Sequence, residues 1–119
     1  MSRQEGELVN LSITTEARED PFVMHVSGDL DVYTAPQLKD ALESAGLERK
    51  TIILDMSEVH FIDSTALGVL VASLQQSRAH DGELALVMDD PYLLKIFRIT
   101  GFDTLFSIFP QVADALAGV

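Results

Sequence analysis

A chain of 119 residues has room for one domain, and at that size folding hides roughly two thirds of the surface that the unfolded chain exposes. With 47% apolar and 23% charged residues the composition is that of a globular protein, not a disordered one. Nineteen acidic against eight basic residues leave a formal charge of −11, and there is no cysteine. The charge argues against binding nucleic acid or an anionic membrane, and the missing thiols exclude disulfides, thiolate metal sites and cysteine nucleophiles.

Residues 1–7 read as a loose polar tail without the apolar segment of a secretory signal, and residues 8–119 as the folded domain. Leu8 to Thr14 and Phe22 to Val26 read as strands joined by the polar turn Glu16-Ala17-Arg18-Glu19-Asp20-Pro21, which predicts an antiparallel hairpin at a sheet edge. Gly28 ends the second strand. Thr34 with Gln37 fits a capping box, Pro36 suits a first turn, and Ala35, Leu38, Ala41, Leu42 and Ala45 make one apolar stripe, so a helix is predicted as far as Gly46. The run Thr51-Ile52-Ile53-Leu54 lacks polar alternation and predicts a strand covered on both faces.

Asp63 or Ser64 can cap a second helix through Leu67, Leu70, Val71 and Leu74, with Asp81-Gly82 as the turn after it. Leu84 to Met88 reads as another buried strand. Asp90-Pro91 starts a third helix, in which Tyr92, Leu93, Ile96, Phe97 and Ile99 form a broad apolar face ended by Gly101. A strand at Leu105 to Ile108 and a helix from about Gln111 complete the order β-β-α-β-α-β-α-β-α. This order predicts an α/β domain: a mostly parallel sheet with an N-terminal antiparallel hairpin strand, flanked by about four helices. The longest apolar stretches, around Ala66 to Leu74 and Leu84 to Met88, fall short of the roughly 20 residues a membrane span needs, so a cytoplasmic protein is expected.

Sites in such sheets gather where the carboxyl ends of strands lead into helices. That draws attention to Gly28 to Thr34 and Ser57 to Gly68. Asp63-Ser64-Thr65 puts a carboxylate and two hydroxyls at a helix entrance, where backbone N–H groups and the dipole favour negative charge. A phosphate on Ser64 fits there, and by position alone a plain helix cap fits as well. His25, His60 and His80 are scattered without ligand-like pairing, and no glycine-rich phosphate loop or acid–base pair appears, so neither metal, cofactor nor enzymatic activity is expected.

The string Val59-His60-Phe61-Ile62-Asp63-Ser64-Thr65-Ala66-Leu67-Gly68 resembles the phosphorylation signature of STAS-domain anti-sigma factor antagonists, an aromatic and an aliphatic residue followed by D-S-[ST]-G-L-G. Gly28-Asp29-Leu30-Asp31-Val32-Tyr33-Thr34-Ala35-Pro36 is similar to the same family's G-E-[IL]-D segment. Leu94-Lys95-Ile96-Phe97-Arg98-Ile99-Thr100-Gly101-Phe102 is similar to its L-x-R-L-F-x-x-T-G-L stretch. The resemblance implies a switch. The unmodified protein binds an anti-sigma factor that is itself a serine kinase and so frees the sigma factor, phosphorylation of Ser64 ends that binding, and a metal-dependent serine phosphatase restores it. The proposed sheet brings the loop of Asp31, Val32 and Tyr33 near Ser64, so these three, with Asp63, Ser64 and Thr65, are expected to form the surface that meets the partner; Thr65 is the competing acceptor, though its β-branch and the family placement favour Ser64. Ala66 stands where the family has glycine and Lys95 where arginine is common. Two other readings suit an α/β domain of this length: a receiver-like domain with Asp55 as phosphoacceptor, and a scaffold or ligand-sensing module that keeps the STAS fold. The receiver reading lacks an acidic pair near Ile13-Thr14-Thr15 and a lysine near Phe106 to Pro110.

Overall fold

In a computed structural model, which describes residues 11–46 and 49–119, β1 (Leu11–Thr15) and β2 (Phe22–Gly28) pair antiparallel, Leu11 opposite Gly28 and Thr15 opposite Met24. The polar turn between them offers no apolar surface to bury, so the chain reverses there, as expected. The proposed tail 1–7 and the start of the first predicted strand, Leu8 to Asn10, lie outside the described residues. β3 (Thr51–Glu58), β4 (Glu83–Val87) and β5 (Ser107–Phe109) then add in parallel, giving one five-stranded sheet in the order β1-β2-β3-β4-β5. The helices are α1 (Ala35–Ser44), α2 (Ser64–Ala79), α3 (Pro91–Thr100) and α4 (Val112–Gly118).

The strand order explains an uneven layering. Each parallel step moves the same way along the sheet, and crossovers of one hand then put every connecting helix on the same face. Accordingly Leu38 and Leu42 of α1, Leu67, Leu70 and Leu74 of α2, and Leu93 and Phe97 of α3 share one core with Met24, Ile52, Leu54, Met56 and Leu86. Among the described residues only α4, which comes after the last strand, covers the other face, where Ala115, Val112 and Leu116 pack on Val23, Ile53, Ala85 and Val87.

Two expectations need correction. The broad apolar face read on α3 is narrower: Leu93 and Phe97, one turn apart, are fully buried, whereas Tyr92 is 49% and Ile99 72% exposed. The last strand starts at Ser107, because Phe102–Thr104 form a 3₁₀ turn after Gly101, whose φ of +80° closes α3. The turn lets Phe102 and Phe106 pack edge-on to Phe97, with ring centroids 6.4 and 6.0 Å away.

Candidate functional site

Gly28, at φ +123°, lets the chain swing out of β2 and lie beside the loop that leaves β3. There Leu30 donates its N–H to the carbonyl of Phe61 at 3.0 Å and accepts from the N–H of Asp63 at 2.9 Å, a short parallel bridge between Leu30 and Ile62. Asp31 shapes the next turn: its Oδ1 accepts from the backbone N–H of Tyr33 at 2.9 Å and of Thr34 at 3.0 Å. The predicted capping box is therefore not formed. Thr34 lies in helical rather than extended conformation, so its hydroxyl points back, donating to the carbonyl of Asp29 at 2.7 Å and accepting from Asp31 N–H at 3.0 Å. Gln37 instead donates its side-chain amide to the carbonyl of Leu11 at 3.0 Å.

The cap of α2 is Asp63, extended in backbone, whose Oδ1 accepts from Ala66 N–H at 3.1 Å. Its other oxygen accepts from Val32 N–H at 2.9 Å, so one carboxylate both caps the helix and fastens the β2–α1 loop. Ser64 is the first helical residue and exposed, with capping already done by its neighbour. Thr65 is exposed too and lines a shallow groove of about 250 Å³ between α1 and α2, with Lys39, Gly68, Ala72 and Ser73. Ala66 is fully buried, so the methyl that replaces the family's glycine faces the core and not a partner.

The six residues singled out in sequence thus come together at one end of the sheet. Val32 and Tyr33 are held outward, 52% and 76% exposed. Two further aromatic residues are exposed, which sequence reasoning did not foresee: Phe61, 40% exposed beside the Leu30–Ile62 bridge, and Tyr92, on the first turn of α3. His60 Nδ1 lies 3.0 Å from Asp90 Oδ1, tying the β3–α2 loop to the cap of α3, whose Oδ2 accepts from Leu93 N–H at 3.1 Å. The hydrogen bond from His60, then that from Leu93, hold the Asp90 carboxyl below its ordinary range. No local pattern could have revealed this pair, whose members are 30 residues apart.

His25 was missed for the same reason. On the sheet face away from α2, its Nδ1 lies 2.6 Å from Asp55 Oδ2 and its Nε2 2.8 Å from Glu16 Oε2. Asp55, the alternative phosphoacceptor, is buried, bonded to His25 and to the N–H of Ser57 at 3.0 Å, which removes the receiver reading. Among the described residues no group of three ligating side chains could hold a metal ion. Burial alone would lower the His25 pKa, but the hydrogen bonds and charges of Glu16 and Asp55 outweigh it and raise the pKa above 6.5. A raised pKa contributes stability that is fully present below the unfolded value near 6.5 and is lost as pH rises through the folded one. Urea melts between pH 6 and 9 are expected to show that loss, and His25→Gln to flatten it. An identical pH slope in the variant would refute the pairing.

Among the described residues no helix is long and apolar enough to cross a membrane. The STAS domain model matches residues 12–115. An anti-sigma-B factor antagonist of Listeria monocytogenes is 35% identical over 102 residues, 84% of this chain and 90% of that protein. The crystal structure of an anti-sigma factor antagonist from Mycobacterium paratuberculosis superposes with a TM-score of 0.83 at 28% identity, covering 92% of this chain and 94% of that one. The Bacillus cell fate determinant SpoIIAA, solved in its phosphorylated form, shares the fold with a TM-score of 0.68 at 20% identity over 89% and 97% of the two chains. With the family model spanning most of the chain and the mostly parallel sheet matching that of its relatives, the chain belongs to the STAS-domain family of anti-sigma factor antagonists.

Proposed function

We propose that this protein is an anti-sigma factor antagonist of the cytoplasm, in which an anti-sigma serine kinase is bound by the unmodified chain and released when Ser64 is phosphorylated. The observation that carries this reading is the state of Ser64: exposed at the first position of α2, free of the capping duty that Asp63 performs, and next in the chain to the carboxylate that fastens the loop of the exposed Val32 and Tyr33. A hydroxyl in that place can enter a kinase active site without unfolding its helix. The kinase supplies base and nucleotide, since the nearest histidine in sequence, His60, is held by Asp90.

Phosphorylation adds about −1.5 to −2 charges next to the Asp63 carboxylate. The dipole of α2 tolerates that charge within the free protein. A partner surface closed over it does not, because the dianion must be desolvated among apolar side chains and beside Asp31 and Asp63. A loss of about 2.7 to 4 kcal/mol weakens binding roughly a hundred- to a thousandfold. Asp29, Asp31, Glu58, Asp63, Asp89 and Asp90, at or just beyond the carboxyl ends of β2, β3 and β4, within a chain of charge −11, fit a partner that is basic around an apolar centre. A metal-dependent serine phosphatase returns the chain to its binding form.

The test is transfer of radiolabelled phosphate from the cognate kinase. Label is expected on the unmodified chain and on Thr65→Ala at a stoichiometry near one, and none on Ser64→Ala. Label that persists in Ser64→Ala and vanishes in Thr65→Ala would move the acceptor to Thr65. A pull-down that recovers no kinase at all would favour a scaffold or ligand-sensing module.

A further inference from the structure

The Glu16–His25–Asp55 cluster stands where β2 and β3 change register: the strands pair in step from Phe22–Ile52 to His25–Asp55, then Ser27 meets Glu58. A bulge of this kind bends the chain and redirects the segments beyond it. Here those segments are the two loops of the Ser64 site, rejoined at Leu30–Ile62 and fastened by Asp63 to Val32. Asp55 spans the irregularity, with one oxygen on His25 and the other on the N–H of Ser57. His25 is therefore the inner anchor of the frame whose outer end presents Ser64. It lies on the face opposite α2 and cannot itself touch a partner docked over that helix.

Both ring nitrogens face carboxylate oxygens, which only an imidazolium, donating from both, can satisfy. Deprotonation leaves one nitrogen lone pair against a carboxylate, and one of the two contacts must open. Glu16 and Asp55 are the charged groups facing the ring. The cross-strand neighbour Thr14 is uncharged, and α4 turns Val112, Ala115 and Leu116 to this side of the sheet. We infer that His25 is a positioning residue, its protonation state setting the β2–β3 bulge and through it the placement of the Val32 and Ser64 loops. The device is independent of whether Ser64 is phosphorylated.

Amide NMR of the purified chain tests it without a partner. His60, four residues from Ser64, is first changed by His60→Gln so that His25 is the one imidazole near these amides. Across pH 5.5 to 9 the amides of Leu30, Val32, Ser64 and Thr65 are expected to shift with the midpoint of the His25 ring, and to lose that transition in His25→Gln. Glu16→Gln, a change on the exposed hairpin turn, removes one arm only and is expected to lower the ring and amide midpoints together. It decides the matter should His25→Gln fail to fold. Amides that stay still while His25 titrates, or that titrate unchanged in His25→Gln, overturn the inference. So does a ring midpoint that moves in Glu16→Gln while the amide midpoints stay where they were.

Discussion

Ser64→Ala is expected to stay bound to the anti-sigma kinase in the presence of ATP, whereas the unmodified chain, phosphorylated in the same mixture, is released with roughly a hundred- to thousandfold weaker affinity. The alanine removes the acceptor oxygen and leaves an uncharged surface between Asp63 and Thr65. The cap is untouched, because Asp63 and not Ser64 accepts from Ala66 N–H. Ser64→Glu is expected to bind weakly from the outset, though less weakly than the phosphorylated chain, since one carboxylate carries less charge than a phosphate and fewer acceptor oxygens. Titration calorimetry with the kinase and ADP, then with ATP, separates the three. Equal affinities for Ser64→Ala and Ser64→Glu would sink the electrostatic account, even if Ser64 proved to be the acceptor.

The second large effect is on stability. Leu70 is fully buried in the middle of α2, one turn from Ala66 and Leu74, with its side chain in the core shared by the sheet and three helices. Leu70→Ala leaves a cavity that a sheet and two neighbouring helices cannot collapse around, and a loss of about 2 to 5 kcal/mol is expected. Asp63→Ala, which removes a cap from a helix that packing already holds, is expected to cost about 0.5 to 2 kcal/mol. Ser64→Ala is expected to fall below both, within about 0.5 kcal/mol of the unmodified chain, as surface changes away from caps do. Urea midpoints that reverse this ranking would contradict the placement of α2.

The three crossover helices show how far a local pattern reaches. Leu38 and Leu42, Leu70 and Leu74, and Leu93 and Phe97 all sit four residues apart, and each pair is buried. The spacing that names a helix also names its inner face, because the backbone repeats every 3.6 residues whatever it packs against. The width of that face is another matter. Tyr92 and Ile99 fit the stripe of α3 by spacing and are nevertheless exposed, because α3 enters the core through Leu93 and Phe97, with Leu94 and Ile96 only partly buried against it.

Caps divide in the same way. Asp90 before Pro91 caps α3 as its sequence suggests, while Thr34 with Gln37 has the pattern of a capping box and does not form one. The difference is Asp31, whose charged acceptor takes the amides of Tyr33 and Thr34 and leaves the Thr34 hydroxyl to turn back. The motif marked Ser64, but it left open whether Asp63 or Ser64 was the cap.

The sequence by itself determined the order of elements, the two loops of the site and the family, all of which rest on spacings within a few residues or on strings read in order. Only the tertiary structure decided that all three crossover helices share one face, that Asp63 reaches Val32 across 31 residues, and that His25 meets Asp55 across 30. The physical reason is that these contacts join neighbouring strands and their loops. The register that brings their residues opposite one another is set by the burial of the whole sheet, and no residue near either partner in the chain records it.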